Sequence, residues 1–305
     1  MKRNDRAGGA LLRRPIRRSW PLFLLPTAAA FVIGFVWPFL QGIWLSFCAF
    51  TTTNNARWVG GENYLNAVLD RGFIYSFLYT ALFALVSLVV INVLAFAVAY
   101  ALTQKIRGTG IFRTVFFMPN LIGGIVLGYI WSILFDGILR AYHTSILLET
   151  RYGFFGLLIL MCWQQVGYMM IIYIAGLQAV PEHMLEAARI DGASRWQTLR
   201  RVTIPNVMPS ITICTFLSLT NGFKLFDQNL ALTGGAPFRF QTYADGSMAT
   251  IKTTEMLALN IYNTFYGQGS MARGTAQAKA VIFFLLVAGL SLAQLRATRG
   301  REVGA

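Results

Sequence analysis

The sequence predicts an all-α, polytopic membrane protein with six transmembrane helices. Two of the observations behind this prediction are compositional: 56% of the 305 residues are hydrophobic, and only 12% are charged. A soluble domain carries roughly 25% charged residues, so this chain has too few charges to cover a water-facing surface. It is also too hydrophobic to be disordered. The third observation is that six apolar stretches reach the roughly 20 residues that a helix needs to cross a bilayer.

The predicted spans follow one another at residues 21–47, 76–102, 114–135, 154–179, 206–232 and 276–296. Each is a continuous apolar run, which favours helices over the alternating strands of a transmembrane barrel. The first run follows a basic head, as a secretory signal does. However, it is far longer than the roughly 7–15 apolar residues of such a signal and contains Pro26 and Pro38. It is therefore predicted to be an uncleaved span.

The distribution of basic residues predicts the orientation of the chain. Seventeen Lys and Arg residues lie in the N-terminal tail, the 103–113 loop, the 180–205 loop and the C-terminal tail, whereas seven lie in the alternate loops. Because basic residues accumulate on the cytoplasmic side, both termini are predicted to be cytoplasmic. The net charge of +14 is then mainly a topology signal, so no nucleic-acid partner is expected.

The resulting organisation has four parts. Residues 1–20 form a cytoplasmic basic tail, and residues 21–75 form the first span and an external loop. Residues 76–296 form a five-helix core that contains the 180–205 loop, and residues 297–305 form a second cytoplasmic tail.

The cytoplasmic loop between the fourth and fifth spans carries helix start and stop signals. Pro181 suits the first position of a helix, and Glu182 and Glu186 place negative charge in its early turns. Gly192 is suited to the left-handed conformation that ends a helix. The loop is therefore predicted to contain a short helix that stops at this glycine.

A second short helix is predicted directly after the glycine. Ser194 and Gln197 have the spacing of a capping box, and Pro205 precedes the next span. Two short helices that project from the membrane suit docking into a groove on a soluble partner. The alternative is a solvated cytoplasmic turn without a partner.

This loop resembles the EAA loop in the membrane subunits of binding-protein-dependent ABC importers. The residues that match the family pattern are Glu186, Ala187, Ala188, Asp191, Gly192, Ala193, Ile204 and Pro205. The leucine that usually stands between the last two is absent. Further matches include Gly61–Tyr64 and Leu232–Pro237, where Ala236 replaces a glycine that is common in the sugar-importing branch. The similarity covers most of the chain.

The resemblance implies a type I ABC importer permease fold and a role in sugar transport across a prokaryotic cytoplasmic membrane. It also implies that the EAA loop couples the permease to ATP hydrolysis. The expected partners are two copies of an ATP-binding subunit, a second permease in a heterodimer, an extracytoplasmic solute-binding protein and a sugar substrate, in addition to the lipid bilayer.

The chain is not expected to be an enzyme on its own. It has no G-x-x-x-x-G-K-[ST] loop for phosphate binding, and its two histidines, His143 and His183, fall on opposite sides of the predicted membrane. Its three cysteines lack metal-site spacing, and a role as buried or lipid-facing thiols is expected. No cofactor and no metal are predicted.

Polar residues within the spans are candidates for the substrate path, because such residues are costly in a bilayer and often functional. The candidates are Gln164 in the fourth span, beside Trp163 and Gln165, and Asn221, Lys224 and Asp227 in the fifth. Lys224 and Asp227 are three residues apart and are predicted to share one helix face. They would either line a sugar path or form a neutralising ion pair near the outer interface. Trp163 could equally mark the membrane interface.

Three alternatives remain open from the sequence. One is an ABC permease for a different solute such as glycerol-3-phosphate, and the others are an ion-coupled secondary transporter and a membrane-embedded hydrolase. A secondary transporter usually has several acidic residues in its spans, whereas Asp227 is the only one here. The long external loop at 233–275 is periodic enough at Ile251–Phe265 for a short helix, which is expected to lie at the surface.

Overall fold

The structure is a computed structural model that describes residues 24–104, 107–242 and 248–299. The helices are α1 Leu24–Ser46, α2 Glu62–Leu69, α3 Arg71–Leu102, α4 Thr109–Phe117, α5 Gly124–Leu139, α6 Thr150–Gln178, α7 Glu182–Ile190, α8 Arg195–Asn206, α9 Met208–Phe223, α10 Asp227–Leu232, α11 Leu257–Gly267 and α12 Arg273–Arg299. Two antiparallel hairpins pair β1 Cys48–Ala49 with β2 Arg57–Trp58, and β3 Phe238–Thr242 with β4 Met248–Lys252.

The prediction of a helical, polytopic membrane protein is confirmed, with five candidate spans in the described part of the chain, or six if one bent helix pair is counted as a span. Five helices are long and apolar enough to cross a bilayer: α1, α3, α5 with its following turn, α6 and α12. The sixth candidate is the pair α8 and α9, which are bent by 72° at Val207. The second span begins at Arg71, earlier than predicted, because the Asp70 side chain accepts hydrogen bonds from the first backbone N–H groups of the helix.

Two spans that were predicted to be continuous helices are broken. The third span is interrupted between α4 and α5 at a short 3₁₀ turn, Met118–Leu121, which contains Pro119, and the chain is extended at Ile122. The fifth span is interrupted between α9 and α10 at residues 224–226. The first break lies in largely apolar sequence, which predicted an uninterrupted helix there. The second lies among the polar residues Asn221, Lys224 and Asp227, which were interpreted as substrate-path candidates within one continuous helix.

Glycines allow the C-terminal parts of these two spans to touch, as expected for close helix packing. A Cβ atom at Gly128 would lie 2.5 Å from the Cβ of Ala231, and one at Gly124 would lie 2.8 Å from the Cβ of Asp227. Helix α5 therefore packs directly on α10. Gly123, in contrast, has open space around it and ends the interruption in an extended conformation.

The core lies where α3, α6 and α9 meet, and it contains a buried polar network. The Tyr173 hydroxyl donates to Asn92 Oδ1 at 2.6 Å, and Asn92 Nδ2 donates to Ser218 Oγ at 3.0 Å. All three residues are at least nine-tenths buried. Because each of the three helices contributes one residue, the network joins them into one body.

The predicted helix in the 233–275 loop is present, and one of its faces is buried while the other is exposed. It begins at Leu257, whereas Ile251 belongs to β4. The Leu257 N–H donates to Thr80 Oγ1 at 2.8 Å, and Leu257, Leu259 and Asn260 are buried. Helix α11 is therefore inserted against the first three turns of α3.

A buried lysine connects α3, α11 and α12. Lys279 of α12 is fully buried and donates to Asp70 Oδ2 at 2.5 Å, to Thr264 Oγ1 at 2.7 Å and to Asn260 Oδ1 at 3.0 Å. Its ammonium group also lies 5.3 Å from the centre of the Phe73 ring. All three ammonium protons therefore have acceptors, which offsets the cost of burying the charge.

Asp70→Asn is expected to destabilise the protein by about 3 kcal/mol, because it leaves the Lys279 charge buried without its counter-ion. Asparagine retains the ability to cap α3. The measurement is thermal unfolding in detergent. Lys279→Met added to Asp70→Asn removes the unpaired charge and should recover part of the lost stability. A double variant less stable than Asp70→Asn would contradict this assignment.

Candidate functional site

The first helix of the 180–205 loop, α7, has a charged residue of the favourable sign at each end. Pro181 is extended and precedes the helix, which starts at Glu182, one residue later than predicted. Glu182 lies in the first turn and Arg189 in the last, so both charges complement the helix dipole. The buried residue of this helix is Ala188, while Glu186 and Ala187 are exposed.

The turn after α7 has the hydrogen bonds of a Schellman motif. The Ala193 N–H donates to the Ala188 carbonyl at 2.9 Å, and the Gly192 N–H donates to the Arg189 carbonyl at 3.1 Å. Gly192 has a φ of +75°, the left-handed conformation that favours glycine, and no atom lies within 4 Å of its missing Cβ. The left-handed backbone conformation of this glycine thus sets the angle between the two helices.

Helix α8 starts with the predicted capping box. The Gln197 N–H donates to Ser194 Oγ at 3.3 Å, and the Ser194 N–H donates to Gln197 Oε1 at 2.7 Å. The helix then widens into a π-helical turn at Leu199–Thr203, before Ile204 and Pro205, which are both half-buried. Proline has no N–H group to continue the helical ladder, and the chain bends into α9 just after it.

The exposed surface of α7 and α8 combines charges of both signs with large apolar side chains. Ile190 is 86% exposed and Trp196 is 67% exposed, on either side of the exposed Asp191 and Gly192. Sequence reasoning assigned no role to these two apolar residues, although their positions beside the glycine turn were a visible signal. Exposed apolar groups set among charges are typical of a protein docking surface.

The two ends of the loop are held against each other. A Cβ atom at Gly176, near the end of α6, would lie 2.2 Å from Ser210 Oγ and 3.2 Å from Val207 Cγ1, at the start of α9. The Ser210 and Val207 side chains therefore pack against the α6 backbone at the base of the loop.

Gln164 connects the break in the third span to helix α10. It is the central residue of α6, equally distant from Thr150 and Gln178. Its Nε2 donates to the Ile122 carbonyl at 3.2 Å, and its Oε1 accepts from Gln228 Nε2 at 2.6 Å. Gln164 is 6% exposed and its amide is engaged at both ends, so this side chain connects neighbouring elements rather than facing an open space.

The other candidate path residues are more accessible. Asn221 and Gln165 are half-buried and bonded to each other, with Asn221 Nδ2 donating to Gln165 Oε1 at 3.3 Å. Lys224, Asp227 and Trp163 are exposed. The structure thus places Gln164, Gln165 and Asn221 together, with the two charged residues at the break just beyond them.

The predicted pairing of Lys224 with Asp227 on one helix face is wrong. Lys224 follows the last residue of α9 and Asp227 opens α10, so the helix does not continue between them. Within the described part of the chain they form no ion pair. Both charges remain available at the break.

The titratable residues offer no assembled catalytic or metal site among the residues described. No group of three or more His, Cys, Asp or Glu side chains is close enough to hold a metal ion there. His143 and His183 are both exposed. Cys48 and Cys214 are buried and Cys162 is half-buried, and burial raises the pKa of the Cys48 thiol.

Comparison with known proteins agrees with this geometry. A family model described as the inner membrane component of binding-protein-dependent transport systems matches residues 107–299. The chain is 40% identical over 290 residues to a probable starch degradation products transport system permease protein, AmyD, of Thermoanaerobacterium thermosulfurigenes, covering 92% of this chain and 94% of that protein. It is 31% identical over 303 residues to the multiple sugar-binding transport system permease protein MsmF of Streptococcus mutans, covering 96% and 99% respectively.

A solved structure has the same fold. A chain of a bacterial ABC transporter involved in the import of alginate superimposes with a TM-score of 0.75 at 19% identity, covering 94% of this chain and 98% of that one. The predicted type I importer permease fold is therefore confirmed. On the family match and the 40% identity, this chain belongs to the family of inner membrane components of binding-protein-dependent transport systems, whose members are transport subunits rather than enzymes.

Proposed function

We propose that this protein is the permease subunit of an ATP-driven importer that moves a sugar or oligosaccharide into the cell. The observation that carries the proposal is the pair α7 and α8, which presents an exposed docking surface and joins the two spans that hold the polar path. The relatives AmyD and MsmF are named as permeases for starch degradation products and multiple sugars, which supports a sugar as substrate.

In this proposal Glu186–Gly192 forms the coupling element, continued by Ala193, Ile204 and Pro205. The exposed Glu186 meets a basic or polar group on the ATP-binding subunit, and Ile190 and Trp196 fill apolar recesses beside it. Closure of two ATP-binding subunits then moves α7 and α8. Since α6 and α9 touch at Gly176 and Ser210, both spans move with them.

The path that this motion opens and closes lies between the broken spans. Discontinuous helices near the bilayer midplane are a common way to build a transport site, because their interruptions expose backbone groups to a substrate. Here Gln164 connects the break in the third span to α10, and Asn221, Gln165, Lys224 and Asp227 provide polar contacts. Amide side chains offer both donors and acceptors, which suits sugar hydroxyls.

We place the protein in a prokaryotic cytoplasmic membrane with both termini in the cytoplasm, as its basic loops indicate. Its partners in this proposal are two ATP-binding subunits, a second and different permease subunit, and an extracytoplasmic solute-binding protein. The five-helix core at 76–296 is the transporting unit, and the first span packs on it mainly through α12.

The experiment is uptake of radiolabelled maltodextrins by the complete transporter in proteoliposomes. Gln164→Ala should reduce uptake at least about tenfold, because it removes two buried hydrogen bonds that are worth about 1 kcal/mol each before the cost of the unpaired Ile122 carbonyl is added. ATP hydrolysis stimulated by the binding protein should persist, since the coupling loop is untouched.

The control is Tyr142→Ala, which removes an exposed side chain away from the path and should transport normally. ATP-independent uptake driven by an ion gradient would contradict the proposal. Transport of glycerol-3-phosphate but not of maltodextrins would support the importer function and contradict the sugar substrate. This outcome is tested because the chain is 27% identical to a glycerol-3-phosphate permease, UgpA of Agrobacterium fabrum.

A further inference from the structure

An aromatic groove of about 420 Å³ lies on the outer part of the protein, between α11 and α12. Tyr262, Phe265 and Tyr266 of α11 form one wall, with Gln277 of α12 opposite and Phe226 at one end. Ile261 of α11 and small alanine side chains from both helices complete the lining. We refer to this feature as the outer groove.

The aromatic rings of the outer groove form a continuous series. The ring centres of Phe226 and Tyr262 are 5.2 Å apart, those of Tyr262 and Tyr266 are 4.7 Å apart, and those of Phe265 and Tyr266 are 4.9 Å apart. Tyr262 is 41% exposed and Tyr266 is 67% exposed. Two ring faces on one helix are thus open to an incoming molecule.

The groove also holds polar groups without partners. In the described part of the chain, the hydroxyls of Tyr262 and Tyr266 and the amide of Gln277 make no hydrogen bond. Polar side chains elsewhere on α11 form hydrogen bonds within the protein. Glu255, just before the helix, accepts hydrogen bonds from Asn260 and Asn263 at 2.7 and 2.5 Å. Polar groups that can bond to a ligand therefore lie beside the exposed aromatic rings.

This combination fits one type of occupant better than the others. A pyranose ring has an apolar C–H face that packs on an aromatic ring, and a rim of hydroxyls that bond to phenols and amides. A lipid chain would cover the rings but leave the Gln277 amide and the phenols unpaired. Among the residues described, no ionised side chain lines the groove, which favours a neutral sugar.

The groove adjoins the proposed path. Phe226 stands at the break of the fifth span, between the exposed Lys224 and Asp227, so it belongs to both features. We propose that the outer groove is a subsite that holds one pyranose ring of a neutral sugar before the sugar reaches the polar path. The proposal rests on the proposed function and adds a second contact point for the same substrate.

The test is uptake of maltose and maltotriose by the complete transporter in proteoliposomes. Tyr262→Ala combined with Tyr266→Ala should raise KM roughly tenfold, as expected from the loss of two stacking contacts. Binding-protein-stimulated ATP hydrolysis should stay within about twofold. Replacement of both tyrosines by Trp keeps the ring faces and should restore transport, whereas Tyr142→Ala again serves as the exposed control.

A binding measurement tests the same proposal without requiring the alanine variants to fold. Tyr266→Trp in the purified complete transporter should show a saturable fluorescence change with maltotriose that exceeds any change of the parent protein and that the acyclic polyol mannitol does not give. If the fluorescence of the Tyr266→Trp protein changes on assembly with a protein partner but not on addition of sugar, the proposal is overturned. If the parent transports maltodextrins and the alanine variant has an unchanged KM, the outer subsite is wrong; if the parent transports none, the proposed function itself fails.

Discussion

Replacing Gly192 by Asp, or Glu186 by Lys, is expected to abolish uptake while leaving the protein inserted and folded. Gly192 has a φ of +75°, and a side chain in this conformation costs roughly 1–2 kcal/mol, so the angle between α7 and α8 changes. Glu186→Lys reverses a charge on the docking surface. A lost interface anchor costs about 2 kcal/mol or more, so uptake should fall at least about 30-fold.

The matched control is Gly108→Asp. Gly108 is also exposed, also has a positive φ, at +82°, and also has open space around its missing Cβ, but it precedes α4 instead of the coupling loop. Both variants should accumulate at the parent level in the membrane and unfold at similar temperatures. If Gly192→Asp transports as well as Gly108→Asp, the coupling role assigned to this loop is wrong.

Gly167→Ala is expected to prevent accumulation of folded protein. Gly167 lies in the middle of α6, where a Cβ atom would be 1.8 Å from the Phe116 carbonyl oxygen and 2.3 Å from the Phe116 carbonyl carbon. These are backbone atoms at the end of α4, which cannot rotate away as a flexible side chain does. Overpacking typically costs about 1–3 kcal/mol, and contact with a fixed backbone puts this substitution above that range.

Gly137→Ala provides the comparison, since Gly137 also lies in a spanning helix but has no atom within 4 Å of its missing Cβ. It should accumulate normally and be slightly stabilised, because alanine has the higher helix propensity. The readout is the amount of monodisperse protein after detergent extraction. Equal yields of the Gly167→Ala and Gly137→Ala variants would show that α4 does not pack on α6 as described.

Local signals in the sequence predicted the features that depend on local chemistry. The Ser194–Gln197 capping box and the helix stop at Gly192 were correct because both depend on residues within three or four positions of each other. The spans were predicted for a similar reason, because a segment that crosses the bilayer must itself be long and apolar.

Features made by distant residues could not be predicted in the same way. Lys279 contacts Asp70, which is 209 positions away in the sequence, and Gln164 contacts Gln228, which is 64 positions away. No local sequence pattern predicts either contact. The break at Ile122 was missed because largely apolar sequence continues across it, although Pro119 was a local signal. The break at residues 224–226 lies among the polar residues Asn221, Lys224 and Asp227, which were interpreted as path candidates within one continuous helix.

The central claim is that the segment between Pro181 and Asn206 docks on an ATP-hydrolysing partner at the cytoplasmic face. A photo-activated crosslinking amino acid at Ile190, which is 86% exposed, tests it in the complete transporter in native membranes. We expect a light-dependent adduct with a subunit whose peptides include a phosphate-binding loop, and none from the same probe at Tyr142. An adduct only with an extracytoplasmic protein, or labelling of Ile190→Cys by a membrane-impermeant maleimide in intact cells, would contradict the claim.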